Sequence, residues 1–190
     1  NTYTGATAVN GGTLTLSGEI APASAGTKTL TFAAASQTNS ISGSLANGPG
    51  LLNIASGSGT LVLNGVATNG TLTAGSGSTL AVGSGAVFQG VTLTCNSGST
   101  LALNPAAADG FAVTLPLTNT LAGAGVRVVV PAAATASAVT FPNLLRAGTA
   151  GSLDIVAEGL GTAANTLLLQ NFAAGSLPAW LTVNGLPAAY

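Results

Sequence analysis

Chemistry needs titratable or metal-binding side chains, and this sequence offers few. Its 190 residues include seven charged ones: Glu19, Lys28, Asp109, Arg127, Arg146, Asp154 and Glu158. There is no histidine, and Cys95 is the single cysteine. Asp154 and Glu158 are the one pair of carboxylates close in sequence. They lie four apart at the end of an expected strand, which puts both on one face. Two carboxylates about 5–10 Å apart are the machinery of glycoside hydrolysis. Nothing else titratable accompanies this pair, so it reads as surface charge that keeps the C-terminal part soluble. A lyase would want Arg or Lys beside a calcium-binding acid cluster, and the sequence has no such cluster. Without histidine there is no His-based triad and no imidazole metal ligand. The many serines have no base beside them. Gly57-Ser58-Gly59 hints at a phosphate loop but lacks the Gly-Lys-Ser/Thr that completes one. We therefore expect no catalytic residue, no cofactor, no metal site and no enzyme activity.

The composition narrows the class further. Charged residues make up 4% of the chain, against about 25% in ordinary domains. A net charge of −1 gives no basic face, so no nucleic-acid partner is expected. Near-neutral chains also tend to associate. A hydrophobic share of 47% argues against disorder. The stretch from Thr29 to Ala108 carries no charge. It is cut every few residues by Gly, Ser, Thr and Asn, so no run of about 20 apolar residues forms a membrane helix. Eight scattered aromatics do not make the girdles of a membrane barrel. No membrane insertion is expected. Cys95 has no internal disulfide partner and reads as a small buried apolar residue, with an intermolecular bridge as the alternative. No secretory signal is present, and the first residues already follow the repeat pattern, as in a processed or trimmed product.

The elements that would carry any function are repeats. A small residue, Thr and then Leu-x-Leu or a variant recurs at Gly12–Leu16, Gly59–Leu63, Ser78–Val82 and Ser99–Leu103. Each alternates apolar with small or polar residues, the period of a half-buried strand. One ladder runs Ile20, Ile41, Leu61, Leu80, Leu101, Leu121, in steps of 19 to 21. A second runs Leu30, Leu51, Leu72, Leu93, Val113, in steps of 20 or 21. Interleaved ladders of this period predict a parallel β-helix of about 20 residues per rung. Five or six such rungs make a rod roughly 25–30 Å long. Thr60, Thr79, Thr100 and Thr120 each precede a ladder Leu and are expected in one outward column. Gly75-Ser76-Gly77 and Gly83-Ser84-Gly85 supply corners with positive φ.

The pattern changes after about Pro105. Val139/Phe141, Leu153/Ile155, Leu167/Leu169 and Leu181/Val183 are spaced by 14. That suits shorter coils or antiparallel strands. The expected organisation is a solenoid over 1–130 and a compact β cap over 131–190, with Phe172 and Trp180 in the cap's core. The fold class is all-β.

The opening residues resemble a known family. Asn1-Thr2-Tyr3-Thr4-Gly5, then Thr7, Val9 and Asn10-Gly11-Gly12-Thr13-Leu14, are similar to the autotransporter-associated β-strand repeat, also called the passenger-associated transport repeat. That pattern is N-x-Y-x-G, then T-x-(V/I), then x-G-T-L with alternating apolar positions. The likeness covers about 18 of 190 residues. It implies a right-handed parallel β-helix in a bacterial protein that is secreted or displayed on the cell surface, where such coils form the stalk of a passenger. The family brings no catalytic residues.

Three functional readings follow. The first is a non-catalytic extracellular structural protein that self-associates end to end into a surface fibre. Identical subunits would then be its partners, and residues 1–18 would donate a strand anchored by Tyr3, Val9, Leu14 and Leu16. An uncapped first rung and the lack of edge-blocking lysines favour it. The second is a passenger-type stalk that presents another domain without polymerising. The third is a glycan- or ice-binding module. Thr-Leu-Thr occurs at 13–15, 29–31, 71–73 and 92–94, and flat Thr-x-Thr arrays resemble those of ice-binding proteins. Thr also simply suits an exposed strand face, and Gly50-Leu51-Leu52 interrupts the column. A surface glycan contact is the remaining partner expectation, although Trp180, Tyr3 and Tyr190 are scattered.

Overall fold

The computed structural model describes residues 7–32, 37–45, 50–132, 136–160, 165–173 and 177–188. These residues hold strands and no helix. The strands wind as a coil with three sides. The first rung is β1 (Thr7–Val9), β2 (Thr15–Leu16) and a bridge at Ile20. The second is β3 (Thr27–Phe32), β4 (Thr38–Ile41) and a bridge at Leu45. The third is β5 (Leu51–Ser56), β6 (Thr60–Leu63) and β7 (Val66–Ala67). The fourth is β8 (Gly70–Ala74), β9 (Thr79–Val82) and β10 (Val87–Phe88). The fifth is β11 (Val91–Cys95), β12 (Thr100–Leu103) and β13 (Ala112–Thr114). The sixth is β14 (Thr118–Leu121), β15 (Val126–Val130) and β16 (Ser137–Phe141). The seventh is β17 (Leu144–Arg146), β18 (Leu153–Ala157) and β19 (Asn165–Leu169). A final hairpin, β20 (Leu181–Val183) and β21 (Leu186–Pro187), ends the described chain.

Each side of the coil is a parallel sheet. The first face is β1-β3-β5-β8-β11-β14-β17, about 29 Å from first strand to last. The second is β2-β4-β6-β9-β12-β15-β18-β20, closed by antiparallel β21. The third is split into β7-β10 and β13-β16-β19. The sequence makes strands because Leu and Val alternate with Thr, Ala and Ser. Strand β12, Thr-Leu-Ala-Leu, buries both leucines and leaves Thr100 and Ala102 half-buried outside. The inward side chains stack rung on rung into one core, as in the column Leu61, Leu80, Leu101, Val128, Ile155.

Rung length is not constant. Partners on the second face advance by 25, 22, 19, 21, 27, 27 and 28 residues from β2 to β20. The expected period of about 20 therefore fits the middle rungs only, and the fixed-step ladders drift off the real columns. Leu61, Leu80 and Leu101 do stack. Ile41, however, pairs with Leu63, and it is Asn39 that meets Leu61. Leu121 lies on the first face, opposite Cys95, and Ile20 lies on the third. In the second ladder Leu72 and Leu93 stack. Leu30 meets Ile54 rather than Leu51, and Leu51 points outward with 53% of its surface exposed. Val113 belongs to the third face, opposite Val139. The outward Thr column holds for Thr60, Thr79 and Thr100, whereas Thr120 sits on the first face beside Thr94.

Parallel pairing continues past residue 130. Val139 meets Leu167 and Leu153 meets Leu181, each 28 residues on. The 14-residue spacing is half of such a rung, read alternately from the third and second faces. Strands β16 to β20 add to the same stack, and among the described residues antiparallel pairing is confined to β20–β21. The larger rungs place their extra residues at corners. One such corner, Asn104 to Gly110, is pinned by the Asn104 side chain, which donates to Ala108 O at 2.9 Å and accepts from Ala108 N at 2.8 Å. Tight corners need glycine for two different reasons. Gly77 has φ +69, which an L side chain rarely adopts. At Gly65 the limit is space: a Cβ there would fall on the Gly43 carbonyl one rung away.

Candidate functional surfaces

The acidic pair is separated by its surroundings. Asp154 Oδ1 accepts from Thr182 Oγ1 at 2.8 Å and from the Gly185 amide at 2.9 Å. It ties β18 to the closing hairpin. Glu158 sits exposed in the turn after β18, and its backbone carbonyl accepts from Asn165 Nδ2 at 2.6 Å. Among the described residues no group of three His, Cys, Asp or Glu could hold a metal. No helix among them is long and apolar enough to cross a membrane.

The first rung is a pair of sheet edges. Among the described residues β1 is paired only with β3, and β2 only with β4. Val9, Leu14 and Leu16 pack on the core but stay half-buried. Their neighbours one rung inward are Phe32, Asn39 and Ile41, each 1% exposed or less. The difference follows from position: among the described residues no strand lies outside β1 or β2. Three of the four residues expected as anchors therefore lie on this first rung, Val9 at the β1 edge and Leu14 and Leu16 at the β2 edge, and Tyr3 lies outside the described residues.

The far end is covered in part: among the described residues β21 closes the second face, β17 and β19 have no outer strand, and side chains cap two further points. Asn171 accepts from the Leu144 amide at 3.1 Å and donates to the Leu144 carbonyl at 2.9 Å. Asn184 does the same to Ala157, at 3.1 and 3.2 Å. A carboxamide offers the same acceptor and donor as a peptide group, so each asparagine stands in for the next strand. The β20–β21 turn is Asn184-Gly185, with φ +50 and +76, which is type I′ geometry. Phe172 and Trp180 meet edge to face with centroids 6.0 Å apart, and both pack on the end of the core. The sequence reading placed these two aromatics in a C-terminal core but overlooked both asparagines. The Asn-Gly pair was the available signal for the hairpin. Asn171 offered none, because its role depends on which backbone it reaches.

The outward side of the first face is a threonine array. One column is Thr29, Asn53, Thr71, Thr92, Thr118, and the next is Thr31, Ala55, Thr73, Thr94, Thr120. Four of these five rungs read Thr-x-Thr. The hydroxyls of Thr71 and Thr92 lie 3.1 Å apart. The break in the array is Asn53 and Ala55, not Gly50-Leu51-Leu52. Thr15 of the first Thr-Leu-Thr belongs to the second face, opposite Ser40. Thr118-Asn119-Thr120 escaped the sequence motif because its inward residue is a buried Asn, held by Pro116 O at 2.7 Å. The second face carries a different outward column: Thr38, Thr60, Thr79, Thr100, Arg127, Asp154, Thr182. No family model matches the chain, and comparisons with curated proteins and with solved structures find no match.

Proposed function

We propose that this chain is a non-catalytic structural rod on the outside of a bacterial cell, which stacks on further rungs through its N-terminal end. The observation that carries this reading is the difference between the two ends. Strands β1 and β2 present edges with no outer partner among the described residues, whereas at the other end the β20–β21 hairpin closes the second face, Asn171 and Asn184 cap Leu144 and Ala157, and β17 and β19 alone lack an outer strand. Bare strand edges are templates for pairing, and covered ones resist it. A rod whose second face is covered at one end and bare at the other would extend a stalk or join one other copy. An unlimited head-to-tail fibre needs a bare edge at both ends. The geometry thus favours the stalk over the fibre. The bacterial surface location draws on the likeness of residues 1–18 to the autotransporter-associated repeat. The absence of catalysis draws on Asp154, whose carboxylate oxygen already binds Thr182 and Gly185.

Electron microscopy and sedimentation velocity of the purified chain test this. The expected result is single rods, with pairs of twice the length appearing as concentration rises. Substituting Leu14→Lys on the first rung is expected to abolish the pairs. Long regular filaments would overturn the one-ended reading and restore the strand-donating fibre.

A further inference from the structure

We infer that the threonine array of the first face is an ice-binding surface. The inference is independent of the rod's role as a stalk and rests on the order and chemistry of the face. Adjacent strands lie about 4.8 Å apart and alternate residues about 6.7 Å apart. Three successive Thr-x-Thr rungs, Thr71–Thr73, Thr92–Thr94 and Thr118–Thr120, therefore set methyls and hydroxyls on a two-dimensional grid, with Thr29–Thr31 beyond the rung of Asn53 and Ala55. A ligand that uses such a grid must itself repeat in both directions on that scale, which points to a crystalline surface rather than a small molecule.

The residue types then choose among crystalline surfaces. No charged side chain stands in either column, so an ionic mineral or a charged polymer has no counter-charge to meet. Sugar chains are held by aromatic stacking and by fans of amides and carboxylates. The two columns contain no aromatic residue and one amide, Asn53. A second copy of this chain would want an apolar, aromatic-rich centre, and alternating methyl and hydroxyl groups do not provide one. Ice is neutral, regular in two dimensions and hydrogen-bonding at every lattice point. Each contact with it is weak, so recognition needs many equal contacts at fixed positions. Threonine is stiff at χ1, and the hydroxyls of Thr71 and Thr92 hold each other in place. The face is therefore ordered before ice arrives, which lowers the entropic cost of binding.

The test uses the full chain in two assays, partition into slowly growing ice and thermal hysteresis of a single ice crystal. The wild-type protein is expected to enter the ice and to hold back crystal growth. Thr73→Tyr and Thr92→Tyr place a ring on the array and are expected to cut hysteresis by about tenfold or more, as loss of a central anchor does elsewhere. Thr79→Tyr, in the Thr column of the second face, is expected to leave it within about twofold. Thermal melts check that all three fold. Thr92 is exposed, so its variant decides the matter if Thr73→Tyr does not fold. Exclusion of the wild-type chain from ice overturns the inference. So does hysteresis unchanged in both first-face variants, or binding to crystalline cellulose by a chain that ice rejects.

Discussion

Cys95 points inward on the first face, between Ala74 and Leu121 of the neighbouring rungs. It is 4% exposed, too deep for a bridge to another chain. Burial pushes its thiol up to about 12, and the Ser99 hydroxyl beside it pulls weakly the other way. The consequence for stability has a definite sign. The unfolded thiol ionises near 9.0 and the folded one only near 12, so between these values the unfolded state holds fewer protons. Stability is unaffected below that window and falls by about 1.4 kcal/mol per pH unit within it. Urea unfolding from pH 8 to 11 is expected to show this slope in the wild type, and to show less of it in Cys95→Val. Equal slopes would mean that the thiol ionises as freely in the fold as outside it. That Cys95 is buried was legible from its apolar, alternating surroundings. Its stacking on Ala74 and Leu121 was not, because the rung between Cys95 and Leu121 is longer than those before it.

The strands show where a periodic reading succeeds and where it fails. Alternation of Leu with Thr identifies β6, β9 and β12 and the direction each side chain takes, since a strand has only two faces. Which leucines stack depends on corner lengths, and corners follow no alternation. Leu101 and Leu51 separate the two levels. Both belong to the ladders read at about 20 residues, yet Leu101 is 1% exposed between Leu80 and Val128 and Leu51 is 53% exposed. Leu101→Ala is expected to cost about 2–5 kcal/mol by leaving a cavity. Leu51→Ala is expected to change stability by no more than about 0.5 kcal/mol. Chemical denaturation of both variants checks the column assignment, and similar costs would contradict it. The threonine array was half legible for the same reason. Thr71–Thr73 and Thr92–Thr94 are 21 residues apart, near the period of the ladders, and stack on adjacent rungs. Thr29–Thr31 and Thr118–Thr120 join the array across rungs of other lengths.

At the level of the whole rod, the proposed association depends on how far the C-terminal end is covered. Gly185 takes φ +76 in the hairpin turn and donates to Asp154. Gly185→Val puts a β-branched side chain where φ is positive and is expected to open the hairpin, uncovering the edge of β18–β20. A rod bare at both ends has the geometry of a filament unit. Sedimentation is therefore expected to show Gly185→Val forming species longer than pairs, with the wild type stopping at pairs. If the variant melts lower yet associates no further, the hairpin stabilises the rod without limiting its length. The uncapped start expected at the first residues lies outside the described residues. The caps at the C-terminal end were not legible, because Asn171 and Asn184 are single asparagines whose meaning appears only once the chain has wound back over Leu144 and Ala157.

The uneven rungs also bear on how the rod behaves under tension. Its strand-to-strand hydrogen bonds point along the long axis, so a pull on the two ends opens them in turn rather than shearing them together. Each coil that lets go frees all of its chain at once. A rung of 18 residues, as between Asn53 and Thr71, extends by about 60 Å, and one of 28, as between Asp154 and Thr182, by about 100 Å. The molecule would then act as an extensible tether that lengthens in graded steps, the longest drawn from the C-terminal coils. A force–extension record with steps of one uniform length would refute that picture.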